Sequence, residues 1–490
     1  MFNKKNIKNI IANLSGKFWA IFANLAVVPI YLQFIDLNDY GLIALYTSII
    51  LTVNIADAGL SPSFARDVAR ANHISEMGNA LKTLELAYFL ILIIISAIAY
   101  LLSDSAVNLL NFSVNYSNEN NRLMFTIMVI SACFQLCTVV YRAGFMGIEE
   151  HVKVNVINIA YSMLRLFFPI VIFYMTTNLV IFFTYQLIIS ILYFLYMRLI
   201  LWKEIGNRLD YNFDLNYLKK IRKFAGGLFI VSIVSAITMQ LDKFMISHFI
   251  GMESLSIYSI SNSISLLLYS VCIPIVSTFY PRITKLCESK ECNEMRKIYI
   301  NLNVLVVFAS TCLFLILYYY SYQIVFLWTQ DVKLAQETSK IVPVMSAGSF
   351  FLCIQLLPYH LGLANGYNKA NVILGFAFVI LTPTILIYAI PLYGILASAY
   401  NWLFVNFIYF LVLSLVIGVK FEGGRTFFLK TASTMIVIIT MILSFEMVNY
   451  FISNLNWILK IIISPIFAMA ILFLFYIIGS KYAPIYRYSN

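Results

Sequence analysis

Apolar stretches of about 18 to 25 residues recur from near residue 14 to near residue 479, each long enough to cross a bilayer as a helix. No polar segment between them exceeds about 30 residues, so almost the whole chain lies in or beside a membrane. Only 11% of the 490 residues are charged, less than half the share usual in soluble domains. A soluble catalytic domain therefore has no place in this chain.

Fourteen spans are predicted, at 14–34, 41–59, 83–102, 123–143, 155–174, 178–199, 226–249, 256–278, 299–320, 338–361, 370–390, 393–418, 429–450 and 457–479. The N-terminal stretch, with Lys4, Lys5 and Lys8 ahead of it, reads as an uncleaved first span, because no small-residue cleavage pattern follows. An even count puts both termini on one side. The connections leading from odd to even spans, with their flanks, hold only Arg122, Lys333, Lys340 and Lys460. Apart from Lys17, Arg165 and Lys243 inside spans, the remaining Lys and Arg fall at the termini and the even-to-odd connections, the side expected to be cytosolic. The net charge of +11 thus reflects topology rather than affinity for nucleic acid. The four histidines have no metal-site spacing and the seven cysteines read as free thiols, so no metal is expected.

An internal repeat organises the spans. Lys153-Val154-Asn155-Val156-Ile157 returns 216 residues later as Lys369-Ala370-Asn371-Val372-Ile373, and Phe34-Ile35 and Ser48-Ile49 return at 215 as Phe249-Ile250 and Ser263-Ile264. Six spans per repeat is an even number, so the two halves keep the same orientation and are related by an axis along the membrane normal. The expected fold is an all-α polytopic membrane protein. It has an N-lobe at 1–200, a basic cytosolic linker at 201–225, a C-lobe at 226–420, and two extra C-terminal helices with a cytosolic tail at 421–490. Two parallel six-helix lobes of this kind make a V-shaped body suited to alternating access.

Polar side chains at helical spacing mark the faces that avoid lipid. Span 1 carries Asn13, Lys17 and Asn24; span 2 carries Thr47, Asn54 and Asp57; span 5 carries Asn155, Asn158, Ser162 and Arg165 at steps of three, four and three. Span 7 brings Ser232, Ser235, Thr238 and Asp242 beside Lys243, and span 8 adds Asn262. Ser and Asn stripes serve equally well as interhelical glue. Lys17 and Arg165 differ, because neither has an acidic residue one turn away and each needs a partner across a cavity or an anionic ligand. Lys243 could instead pair with Asp242, and Arg142 could be a topology anchor. Cavity cations Lys17, Arg165, Lys243 and Arg142 favour an anion such as phosphate or pyrophosphate. Asp57, Asp242, Glu85 and Glu446 are the acidic residues in or at the edges of spans, each able to serve as a counter-ion or a proton or sodium site, with Asp57 and Asp242 favoured because they sit on polar stripes; no phosphate-binding loop suggests ATP hydrolysis, and no cofactor is expected.

Several short motifs resemble a known family when taken together: Asp39-Tyr40-Gly41-Leu42, Asp57-Ala58-Gly59-Leu60-Ser61, Gln240-Leu241-Asp242-Lys243, Ile257-Tyr258-Ser259, Phe279-Tyr280-Pro281-Arg282 and Leu363-Ala364-Asn365-Gly366. Over essentially the whole chain these resemble the polysaccharide transporters of the multidrug/oligosaccharidyl-lipid/polysaccharide superfamily, in particular Wzx-type O-antigen repeat-unit flippases, with a MATE-like fold. The resemblance implies a non-enzymatic protein of the bacterial inner membrane that moves a polyprenyl-pyrophosphate-linked oligosaccharide from the cytosolic to the periplasmic leaflet. Its implied partners are the lipid-linked glycan, the bilayer, a polysaccharide polymerase and a chain-length regulator. A cation-coupled drug exporter of the same superfamily and a membrane-embedded O-antigen polymerase are the competing readings.

Overall fold

A chain segment in hydrocarbon must satisfy its own backbone, which for an apolar run of this length means a helix. The structure, a computed structural model, describes residues 4–57, 59–70, 74–113, 115–289, 291–451 and 456–481. Within these, the side chains of 4–14, 17, 74–75, 220, 222–233, 235–237, 292, 424–426 and 472–481 lie outside the description. The described residues contain no strand.

The helices in chain order are α1 (Lys4–Tyr31), α2 (Leu37–Val53), α3 (Leu60–Arg70), α4 (Ile74–Leu101), α5 (Ser103–Leu109), α6 (Asn118–Gly147), α7 (His151–Met175), α8 (Leu179–Ile205) and α9 (Leu215–Ile250). They continue as α10 (Met252–Ser265), α11 (Leu267–Glu288), α12 (Cys292–Thr329), α13 (Val332–Ile354), α14 (Leu356–Ala364), α15 (Lys369–Tyr393), α16 (Ile395–Ile417), α17 (Gly424–Phe451) and α18 (Trp457–Lys481). Each predicted span falls on a helix or on a broken pair. Among the described residues eleven segments are long and apolar enough to cross a membrane, and shorter apolar stretches lie at Phe18–Tyr31 and Trp457–Ile471. The breaks are local. Span 2 ends in a 3-10 turn over Asn54–Asp57, span 8 divides at Leu266, and span 10 divides at Gln355.

The polar stretch 201–225 is largely helical. α8 runs on to Ile205 and α9 begins at Leu215, so Lys219, Lys220, Arg222 and Lys223 belong to the first turns of a 36-residue helix. Asp214 starts that helix by accepting the amide of Asn216 at 2.9 Å, the usual work of an N-cap aspartate.

Two compact units emerge from the packing: Met1–Ser259 with Gly375–Ser398, and Ile260–Leu374 with Ala399–Asn490. The first unit holds a core of Phe64, Leu81, Leu84, Tyr88, Tyr141, Phe145, Phe194, Met197 and Leu201 contributed by α3, α4, α6 and α8. Gly41, from one of the motifs quoted above, lets α2 approach the start of α10, because a Cβ there would overlap the carbonyl oxygen of Met252. Gly41→Ala should therefore destabilise the protein by about 1–3 kcal/mol, the usual cost of overpacking. A thermal melt in detergent reads this directly, and an unchanged midpoint would mean the two backbones can separate freely.

Candidate functional site

The site is built on α7, where Pro169 interrupts the backbone ladder. Proline has no N–H to give the carbonyl four residues earlier, which is that of Arg165. The Gln186 side-chain amide from α8 donates to this carbonyl at 3.0 Å. Neighbouring carbonyls are also engaged, Leu166 by the Tyr31 hydroxyl at 2.7 Å and Leu164 by the Tyr185 hydroxyl at 2.8 Å. Side chains of α1 and α8 thus brace α7 where Arg165 leaves it, midway along an apolar helix.

The rest of the α7 stripe faces neighbouring helices of the same unit. Asn158 accepts from the Tyr193 hydroxyl at 2.6 Å, and Ser162 accepts from the Trp19 indole at 2.7 Å. Tyr161 stacks on Tyr193 with centroids 4.0 Å apart. A buried network lies alongside: Tyr46 meets Ser131 at 2.6 Å, Gln135 donates to Tyr46 at 3.0 Å, and Ser131 meets Ser190 at 3.0 Å. Asn158 and Ser162 therefore join helices as well as line a polar face, the role open to them from sequence.

Arg165 stands apart from these joints. Its guanidinium lies over the Tyr46 ring at 5.7 Å, and its Nε is buried with no hydrogen-bond partner. Arg142, on α6, lies within electrostatic reach of Tyr193. Among the described residues neither arginine is in an ion pair. Among the described residues these are two cations that no carboxylate neutralises: Arg165, at membrane depth against the Tyr46 ring, and Arg142, near Tyr193. Such a group is suited to an anion with several oxygen acceptors.

The other predicted residues are placed elsewhere. The side chains of Asn13 and Lys17, with those of Ser232 and Ser235, lie outside the described residues. Asn24 is exposed and bonds back to the Ala20 carbonyl of its own helix at 2.7 Å. Asn54 caps the end of α2, and its buried Oδ1 has no partner among the described residues. Asp57 accepts from the Ser61 amide at 3.2 Å and from the Tyr88 hydroxyl. Asp242 is buried and accepts from the Tyr258 hydroxyl and, at 2.8 Å, from the Lys243 amide. The Lys243 ammonium is buried too and donates to the Gln240 side chain at 3.0 Å. Asn262 belongs to the second unit.

One prominent charged cluster was not singled out from sequence. Glu85, whose side chain is 0% exposed, accepts from Tyr141 at 2.8 Å, Arg198 at 3.1 Å, Trp202 at 2.6 Å and Arg208 at 2.7 Å. It ties α4, α6, α8 and the segment entering α9 together. The second unit has its own buried carboxylate, Glu422, which accepts from Tyr299 at 2.7 Å and Lys430 at 2.6 Å. Local spacing marks only Glu85 at the edge of its span, because its partners lie 56 to 123 residues away.

Comparison with known proteins adds an independent line. The profile of the family described as "Polysaccharide biosynthesis protein" matches residues 7–287, a little over half the chain, and that of the MatE family matches residues 228–390. A Shigella flexneri protein named "Putative O-antigen transporter" is 23% identical over 403 residues, spanning 81% of this chain and 94% of that protein. The fold is similar to the lipid II flippase MurJ in an inward closed conformation, with a TM-score of 0.75, 17% identity and coverage of 96% of this chain and 99% of that one. It is also similar to an inward-facing multidrug resistance MATE family transporter of the MOP superfamily, with a TM-score of 0.69, 12% identity and coverage of 84% and 98%.

Proposed function

Given that the chain belongs to the polysaccharide biosynthesis protein family, we propose that it is a flippase that carries a polyprenyl-pyrophosphate-linked oligosaccharide repeat unit across the inner membrane, from the cytosolic to the periplasmic leaflet. The O-antigen transporter similarity and the MurJ-like fold support a lipid-linked glycan as the cargo class. The observation that carries the reading is Arg165, a guanidinium at membrane depth that no carboxylate neutralises among the described residues. An intramembrane charge costs about 2.5–3.5 kcal/mol on insertion scales, and a recurring anionic ligand offsets that cost.

In this mechanism the pyrophosphate and any acidic sugars lie against Arg165 and Arg142, while the polyprenyl tail stays in lipid. The arginines supply charge and directed donors, and the tyrosines beside them supply hydroxyls. Lys17 is proposed to add a third cation from α1. Asp57 and Asp242, each held by a tyrosine hydroxyl, are the candidates for a proton or sodium that drives the return step. A polysaccharide polymerase and a chain-length regulator would act on the delivered units.

Deleting the gene in its host and locating the lipid-linked oligosaccharide tests the proposal. The expected result is a complete repeat unit accumulating on the cytosolic face, with surface polysaccharide lost. Completed units that reach the periplasm but stay unpolymerised would show that the protein is a polymerase, and an unchanged lipid-linked pool with new drug sensitivity would favour an exporter.

A further inference from the structure

A cavity with charged residues in its wall lies in the first unit, and Arg165 is not among the residues that line it. It has a volume of about 530 Å³ and is walled by α3, the first turns of α4 and the start of α9, within the usual range of small-ligand sites. Its side of the membrane follows from the sequence. α3 comes directly after span 2, residues 76–80 precede the apolar run of span 3, and residues 214–217 precede that of span 7. All three segments belong to even-to-odd connections, the side that the positive charge marks as cytosolic, and flank apolar runs of the chain. α3 is amphipathic, with Phe64 and Val68 packed in the core at the cavity's inner wall and Arg66, Asp67 and Arg70 lining it as well.

The charges in the wall define the ligand. Arg66 and Asp67 face each other at 3.3 Å. Arg70, Glu76 and Asp214 remain, and among the described residues no ion pair joins Arg70 to either carboxylate. An anionic ligand would meet the carboxylates and a cationic one the guanidinium groups, so the wall suits a molecule carrying both signs. A quaternary ammonium is recognised by an aromatic cage; among the described residues the wall offers only Tyr217 and the fully buried Phe64. The Glu76 carboxylate and the Asp214 carboxylate, one oxygen of which already accepts the Asn216 amide at 2.9 Å, can accept hydrogen bonds from a primary ammonium.

We propose that this cavity binds a zwitterionic head group of the phosphoethanolamine class, its phosphodiester on Arg70 and its primary ammonium on Glu76 and Asp214. The site is separate from the proposed cargo site, so either can fail without the other.

The test uses the full chain purified in detergent and titrated with short-chain phosphatidylethanolamine, phosphatidylglycerol and phosphatidylcholine, with bound lipid counted by native mass spectrometry. Phosphatidylethanolamine should be retained about tenfold better than the other two, the ratio that corresponds to one charge-assisted contact. Glu76→Gln should remove the preference for ethanolamine over choline, and Arg70→Gln should lower retention of all three lipids. Both residues are exposed, so neither change should move the thermal midpoint. Displacement of the lipid by soluble glycerophosphoethanolamine would show that the head group is what is recognised. Binding of that soluble compound without lipid retention would keep the site and assign it to a free ligand. Equal retention of the three lipids with no binding of the soluble compound would overturn the proposal, as would an ethanolamine preference that survives in the Arg70→Gln, Glu76→Gln double variant.

Discussion

Arg165→Ala should reduce surface polysaccharide to background while leaving the amount of protein in the membrane unchanged. The two halves of this expectation have separate causes. The guanidinium lies midway along α7 with a buried Nε that has no partner among the described residues, so its removal breaks no ion pair among them and takes a costly charge out of the bilayer, about 2.5–3.5 kcal/mol on insertion scales. Expression should hold or improve. Cargo binding should lose charge-assisted hydrogen bonds of about 1.5–3 kcal/mol each, so loss of a bidentate contact amounts to more than a hundredfold in affinity. Arg165→Lys should retain part of the transport, because it keeps the charge without the planar fork. The measurement is surface glycan by immunoblot against membrane-fraction protein level. Normal display in Arg165→Ala at equal protein level would remove Arg165 from the proposed site.

Glu85→Ala should act in the opposite way, lowering the amount of folded protein. Glu85 is fully buried and receives four donors, two of them guanidinium groups. Removing it leaves Arg198 and Arg208 with like charges at one position and strands the Trp202 and Tyr141 donors. Breaking a buried pair costs about 3–5 kcal/mol. The lower end applies here, because the Arg198 and Arg208 side chains are 25% and 33% exposed. The thermal midpoint in detergent should fall sharply, and a Glu85→Ala, Arg208→Ala double variant should recover part of the loss, as expected for coupled residues. A single variant with wild-type stability would show that Arg198 and Arg208 find other partners.

The candidate site was partly legible in the sequence. The α7 stripe of Asn155, Asn158, Ser162 and Arg165 follows from residue spacing alone, because the helical period is fixed and lipid leaves a polar group only inward directions. The different fates of these residues were not legible. Asn158 and Ser162 meet Tyr193 and Trp19, which are 35 and 143 residues distant. Local spacing carries no information about donors on other helices. Asp57 and Asp242 illustrate the same point: each stands on a polar stripe, and each is held by a tyrosine that lies outside the helical turns around it.

The sequence by itself determined that the chain is an all-α membrane protein and which stretches of it form apolar helices. These properties depend on run length, hydrophobicity and local charge, each of which acts over a few turns of helix. Only the tertiary structure decided which buried charges are neutralised. Glu85 draws Arg198 and Arg208 to itself across more than 110 residues of chain, while Arg165 remains without a counter-ion among the described residues. An ion pair requires its two groups to come within about 4 Å of each other, and in this protein the packing of separate helices sets that distance.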